Sequence, residues 1–360
     1  VEPAAGTLAG LTLADFRGIA AAKLRLAPGF NVFVGGNAAG KTSVLEAAFL
    51  LGRGLSFRSG RLDGLIRHGQ SVLTAFGELV PGTGFQRVGV EVSRAAGLTS
   101  RVDGAAANRA TLAAAVLVQL LDPGSQELVR GGPEERRRFL DWGVFHVEPA
   151  FLEAWQQYRR ALDQRNAALR RGASDSTVRA WDEPLAEAGV VVDELRRRAV
   201  ASLTPAAEAC SERLLDHRAE IDYQSGWSAG EALLDVLRSG LDRDRQMGST
   251  QAGPHRADLR LRLEGRLARN TASRGQEKLL SAALAIAQVE QVAAARERRV
   301  VLLVDEPAAD LDRDRLGRLL SALAAAPAQI LLTALDTATM DLPAGATTFH
   351  VERGEVRSLL

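Results

Sequence analysis

Between positions 35 and 42 the chain reads Gly-Gly-Asn-Ala-Ala-Gly-Lys-Thr, the spacing G-x-x-x-x-G-K-T. That pattern demands a strand before it and a helix after it. Its glycines let backbone N–H groups curl around phosphate oxygens, and the helix turns its positive end toward the anion. Both flanks agree: Phe30–Val34 is a β-like run and Ser43–Leu51 a helical one. Lys41 is placed to reach the β- and γ-phosphates and the Thr42 hydroxyl to hold Mg²⁺, with Gly35, Gly36, Asn37, Ala38, Ala39, Gly40 and Ser43 completing the cradle. From the chain's own residue frequencies, chance yields the pattern ~0.003 times, so a decorative glycine turn is set aside.

A partner motif lies near the other end. Val300–Val304 is an apolar run that ends in Asp305 and Glu306. Asp305 suits the hold on Mg²⁺, and Glu306 suits the base that orients an attacking water. Alone this is an ordinary strand running into an acidic turn; the phosphate loop upstream makes the two a pair. A GTPase would carry N-K-x-D, and none of the three lysines (Lys23, Lys41, Lys278) sits in one, so ATP is favoured over GTP. Ala272-Ser-Arg-Gly-Gln276 opens the helical run Lys278–Arg296, and puts Ser273, the Gly275 amide and Gln276 at another anion-ready helix start. Ser273 also reads as a plain N-cap. After the acids comes Ala309-Asp-Leu-Asp312, which resembles the D-loop of cassette ATPases and so implies that Asp310 and Asp312 lie near nucleotide. Gln119, just past the apolar run Ala113–Val118, fits a glutamine touching Mg²⁺ and water. Taken in chain order, Gly35–Thr42, Ala272–Gln276, Asp305–Glu306 and Ala309–Asp312 resemble the motif series of ATP-binding-cassette ATPases.

The rest of the chain is organised around these motifs. Strands are expected at Leu8–Phe16, Lys23–Leu26, Val72–Val80, Phe85–Val92, Arg260–Leu263 and Gln329–Leu332, with a helix at Leu316–Ala325. From Pro133 to about Leu215 the pattern turns helical, with Phe151, Trp155, Tyr158, Leu162 and Leu169 along one face as core. Gly172–Ser176 reads as a turn between two arms, and Pro205 as a kink in the second. The expected fold is α/β: a P-loop ATPase head split by a helical lobe, with head parts at 1–122 and 278–360 and the lobe at 123–277. One cysteine, Cys210, precludes an intrachain disulfide and a thiolate cluster, which fits a reducing cytosol. Apolar runs such as Thr111–Leu121 and Leu279–Val289 are too short to span a bilayer, and nothing resembles a signal peptide. A soluble, intracellular protein is expected.

Further stretches resemble the RecF family, relatives of the SMC and Rad50 heads. They are Gly36–Ala47, Ser56-Phe-Arg58, Leu128–Asp141, Tyr158–Asn166 and Gly253-Pro-His-Arg256. The resemblance covers nearly the whole chain. It implies a cytoplasmic, nucleoid-associated ATPase that dimerises on ATP, clamps double-stranded or gapped DNA, and works with RecO and RecR to load recombinase. Departures are Ala38 for a usual glycine, Gly124 for an acid after the proline, and Ala272 for leucine. Thr333-Ala-Leu-Asp336 also stands where many cassette ATPases carry a histidine, which implies slow hydrolysis and disfavours the alternative, a transporter ATPase subunit. An inactive nucleotide-sensing scaffold is disfavoured by the intact Lys41, Asp305 and Glu306.

With 45 basic against 44 acidic residues, any nucleic-acid surface must be local. Arg53, Arg58, Arg61 and Arg67 form one basic patch, and Arg256 and Arg260 belong to a second within His255–Arg274. Both patches are expected on the head. Arg130–Arg198, with 13 arginines and 12 acids, reads as salt-bridged helix. Scarce aromatics argue for duplex or junction DNA over a base-stacking platform.

Overall fold

The computed structural model describes residues 5–80, 86–338 and 340–359. The chain forms two compact units. The first takes the residues up to Ser125, Arg213–Leu215 and those from Arg274 onward; the second takes Gln126–Glu212 and Asp216–Ser273.

The first unit holds two six-stranded sheets. One is antiparallel, in the order Ile19–Arg25, Leu8–Phe16, Val72–Leu79, Arg87–Ser93, Gly97–Val102, Ala105–Ala106. Its strands alternate buried and exposed positions, as Val72–Leu79 does throughout, so one face packs inward. Phe85, where the sequence reading starts the fourth strand, lies outside the described residues. The other sheet runs Glu355–Leu359, Thr347–Glu352, Phe30–Val34, Ala328–Ala334, Val300–Val304, Val118–Leu121. All its pairings are parallel except the edge hairpin of the last two strands in the chain. Val300–Val304 and Ala328–Ala334 are buried at every residue, as strands covered on both faces must be. The helix Lys41–Arg53 touches both sheets. Its Leu45, Leu50 and Leu51 share one core with Leu11 and Leu13 of the first sheet and Phe33, Leu303 and Phe349 of the second.

One helix among the described residues, Arg274–Arg296, is long and apolar enough to cross a membrane. It exceeds the run Leu279–Val289, but 78% of its apolar 18-residue window is buried inside the protein, which is how a core helix behaves.

The second unit contains helices Pro133–Val147, Phe151–Arg170 and Asp182–Leu215 and a three-stranded antiparallel sheet of Arg266–Leu267, Asp258–Leu263 and Ala219–Gln224. The turn falls at Gly172, with φ +65°, followed by a short helix, Asp175–Arg179. Pro205 does not end the second arm, which runs 34 residues with the proline inside it. Phe151, Tyr158, Leu162 and Leu169 are core, and Trp155 is half-buried. Arg165, fully buried, donates to Asp182 at 2.8 Å, Asp244 at 2.6 Å and Thr250 at 2.9 Å. Arg196 grips Asp141 through two bonds and donates to the Pro254 carbonyl at 2.7 Å. Tyr158 meets His255 at 2.6 Å. Three of the family-like stretches thus meet in one buried polar network, where each charge has its partner.

Candidate functional site

The phosphate loop is built where Phe30–Val34, an interior strand of its sheet, ends. Gly35 has no room for a side chain: a Cβ there would lie 2.1 Å from the Val351 carbonyl oxygen. Gly36 is the opposite case, with nothing within 4 Å of where a Cβ would stand, so that side of the loop opens outward. Ala38 adopts φ +61°, the left-handed region where a Cβ costs about 1–2 kcal/mol, so the departure from glycine leaves strain in the loop. The chain's terminal hairpin braces the loop again where the Gly354 amide donates to the Ala39 carbonyl at 2.9 Å. Lys41, at the start of the helix and 4% exposed, folds back to donate to the Gly35 and Gly36 carbonyls at 2.8 and 2.9 Å. Asn37 is exposed, and Ser43 is buried behind the loop, its amide bonded to the Gly40 carbonyl.

Asp305 closes the site from the neighbouring strands. One of its oxygens, Oδ1, accepts from the Thr42 hydroxyl at 3.1 Å and from the Thr333 hydroxyl at 2.7 Å. Thr333 accepts in turn from the Glu306 amide at 2.9 Å. Glu306 is half-buried and held at φ +48°. Thr333 has no role in the sequence reading beyond marking a missing histidine; its only signal is a hydroxyl that follows the apolar run Ile330–Leu332. Asp122 escapes that reading as well. It follows Val118–Leu121, whose last carbonyl, that of Leu121, accepts from the Asp305 amide at 2.8 Å. Burial first, and then the Asp305 charge, push its carboxyl up against the pull of Ser125. A third omission is Glu46, fully buried on the phosphate-loop helix, which takes two bonds from Arg17 and one from Ser56. That explains the family-like Ser56-Phe-Arg58 as a structural clasp.

Gln119 does not join this cluster. It pairs in register with Leu302, three residues short of Asp305, and its amide nitrogen donates to Gln288 at 2.6 Å while its oxygen accepts from the Leu120 amide. Strand rise puts those three residues at about 10 Å. Gly275, one residue inside the Arg274–Arg296 helix, is buried, and its nearest neighbours are the Asp310 carbonyl, Arg315 and Leu311, not the phosphate loop. Ser273 is exposed and Gln276 half-buried. Asp310 is exposed at φ +62°. Asp312 is occupied as the N-cap of helix Arg313–Ala325, accepting from the Arg315 amide at 2.8 Å.

The basic patches change character. Half-buried Arg53 lies over the Phe49 ring, 5.7 Å from its centroid. Arg58 and Arg61 remain exposed beside Glu46 and Asp63, and half-buried Arg67 lies beside Asp15. Arg256 and Arg260 belong to the second unit, not to the head. Arg260 stands directly across the sheet from Asp222, and Arg262 from Glu220, so that face balances its own charge.

A parallel sheet with a phosphate loop at its strand end and an acid pair two strands away defines an ATPase head of the SMC class, and the RecF/RecN/SMC N-terminal domain matches residues 7–355. The DNA replication and repair protein RecF of Pseudomonas putida is 43% identical over 341 residues, covering 91% of this chain and 92% of its own. That of Pseudomonas aeruginosa is 40% identical over 360 residues, covering 97% of each. The chain belongs to the RecF family. Among solved structures, the recombination mediator protein RecF-ATPrS of the RecFOR pathway superposes with a TM-score of 0.87 at 23% identity over the full length of both chains. An Smc head bound to the C-winged helix domain of ScpA superposes at 0.61 with 16% identity, covering 98% of this chain and 96% of its own. These two likenesses concern the fold. The comparisons support the RecF reading and not the transporter alternative.

Proposed function

We propose that the chain is an ATP-dependent DNA-binding ATPase acting in recombinational gap repair and replication maintenance. The observation that carries this, beside family membership, is the Thr42–Asp305–Thr333 cluster at the lip of a loop whose lysine points into it. ATP binds along Gly35–Ser43. Lys41 exchanges its carbonyl partners for the phosphates, and the amides of the helix start take the remaining charge. The Thr42 hydroxyl and Asp305 carboxylate form a hard-oxygen donor set that fits Mg²⁺. Held there, Mg²⁺ would supply positive charge to offset that of the triphosphate. Glu306 takes the proton of the attacking water as its oxygen bonds to the γ-phosphorus; the bond to the bridging oxygen breaks and ADP leaves. Turnover is slow.

Gly275 packs on its own chain's Asp310, which leaves the open side of the loop above Gly36 for a second copy to cover. Ser273, Gly275, Gln276 and Asp310 of that copy face the nucleotide, and the ATP-bound homodimer clamps duplex or gapped DNA. Arg58, Arg61 and Arg67 are the best phosphate contacts in the head, whose parts are 1–122 and 278–360. The 123–277 lobe forms the arm, with Arg256 its exposed basic contact. RecO and RecR are the expected partners and the nucleoid the expected location. The test is DNA binding with and without ATP on duplex, gapped and single-stranded substrates. Duplex and gapped DNA should be held tightly only with ATP; retention indifferent to ATP would overturn the clamp.

A further inference from the structure

Lys278 is one of three lysines in a chain otherwise reliant on arginine, and it is 3% exposed. It sits one turn into the Arg274–Arg296 helix, three residues after Gly275 and so on the same face. Its ammonium donates to the Ala309 carbonyl at 2.6 Å and to the Glu306 carbonyl at 3.1 Å. Gly275 meets the same segment through the Asp310 carbonyl, 3.2 Å from where its Cβ would be. Two adjacent positions of one helix face thus clasp the turn that carries Glu306 and Asp310.

The conformation of that turn is itself unfavourable. Both Glu306 and Asp310 are non-glycine residues in the left-handed region, at φ +48° and +62°. Such residues persist only where the surroundings over-determine them. The turn's own backbone bonds are long, Ala309 to Glu306 at 3.3 Å and Leu311 to Ala308 at 3.4 Å. Thr333 fixes the amide side of Glu306, and Lys278 fixes its carbonyl side. Lysine suits the task, because a compact ammonium with three donors reaches two converging carbonyls that a planar guanidinium would span poorly. Burial pulls its pKa down, while the Asp310, Glu306 and Asp305 charges oppose that.

We infer that Lys278 is a positioning residue for hydrolysis: it ties the helix that begins at Ser273–Gln276 to the turn bearing Glu306, so that the catalytic carboxylate takes its place only while that helix is in register. The inference rests on the assignment of Glu306 as base. Lys278 touches no part of the phosphate loop, so its loss separates turnover from binding.

The experiment compares Lys278→Met, Lys278→Arg, Glu306→Gln and the Lys278→Met/Glu306→Gln double variant in the full-length chain, measuring ATP affinity by titration and hydrolysis at saturating ATP. Lys278→Met should keep ATP affinity within about twofold and lose about tenfold or more in turnover; Lys278→Arg, still a cationic donor, should recover part of it. The double variant should be no slower than Glu306→Gln alone, because the lysine acts through the glutamate. Should Lys278→Met fold poorly, the Arg variant's split between affinity and turnover carries the same test. Wild-type turnover in Lys278→Met beside an inactive Glu306→Gln overturns the inference alone. Equal losses of affinity and turnover also overturn it, since they mark general damage. Wild-type turnover in Glu306→Gln removes the base assignment, and the inference with it.

Discussion

Replacing Thr333 by valine removes one hydroxyl from the middle of the site and little else. The residue is fully buried, and its oxygen does two things: it donates to the Asp305 carboxylate at 2.7 Å and accepts from the Glu306 amide at 2.9 Å. A hydrogen bond to a charged group contributes about 1.5–3 kcal/mol, and a stranded buried amide costs about 1–3 kcal/mol. Glu306 is only half-buried, so water can relieve part of the second cost. A loss of about 3 kcal/mol is therefore expected for Thr333→Val. Serine keeps the hydroxyl and gives up one methyl, for about 1 kcal/mol. Urea unfolding followed by circular dichroism measures both, since all four tryptophans (Trp142, Trp155, Trp181, Trp227) lie in the second unit and report poorly on this one. Hydrolysis should fall in the valine variant and survive in the serine variant. A valine variant within about 0.5 kcal/mol of wild type, or a serine variant as damaged as valine, would refute the hydroxyl's bridging role.

Lys41→Met should abolish tight ATP binding, because a buried polyanion loses its charge-assisted partner; unchanged affinity in a titration would contradict the phosphate-loop assignment. Ser273→Arg should leave each monomer able to bind ATP yet block ATP-driven dimerisation and hydrolysis; light scattering that shows a dimer at wild-type protein concentration would sink the composite site. Stability should also depend on pH through His255. Burial, with a smaller push from Arg256, Arg137 and Arg159, holds its pKa down to about 4 from 6.5. The unfolded chain then takes up a proton below about pH 6.5 that the folded chain refuses until about pH 4, so stability is complete above that window and falls by up to about 3 kcal/mol across it. His255→Gln should flatten the slope; an unchanged slope would place the titration elsewhere.

How well the sequence foretold each element followed from how much of its pattern was local. Leu8–Phe16, Phe30–Val34 and Val300–Val304 are read to the residue, since glycine or charged residues stand at or close to both ends of each apolar-rich run. Ala219–Gln224 escaped notice because Glu220, Asp222 and Gln224 face outward opposite the charged residues of its neighbour, which hides the strand among polar residues. The edge hairpin Thr347–Glu352 and Glu355–Leu359 is held by pairing with a strand three hundred residues earlier, information no window contains. In the site, loop and acids were legible from spacing. Thr333, Asp122 and Lys278 were not, because each acts through a partner from a distant element: Asp305, the Leu121 strand end and the Glu306 turn. Gln119 was placed by its position after an apolar run, whereas the strand's register turned it toward Gln288.

Gly35 pressed against Val351, and Ala39 bonded to Gly354, mean that the order in which the chain is synthesised matters to its nucleotide site. The glycines, Lys41 and Thr42 leave the ribosome long before Ala328–Ala334 and Thr347–Glu352, the strands on either side of Phe30–Val34. Residues 126–273 are complete before either neighbour exists, so much of the second unit can fold while the phosphate loop is still an open segment of glycine and alanine. A nascent chain stalled before Ala328 would carry every residue of the loop and hold no nucleotide. ATP competence arrives with the hairpin Thr347–Leu359, which makes nucleotide binding a report that this hairpin has been made and has folded.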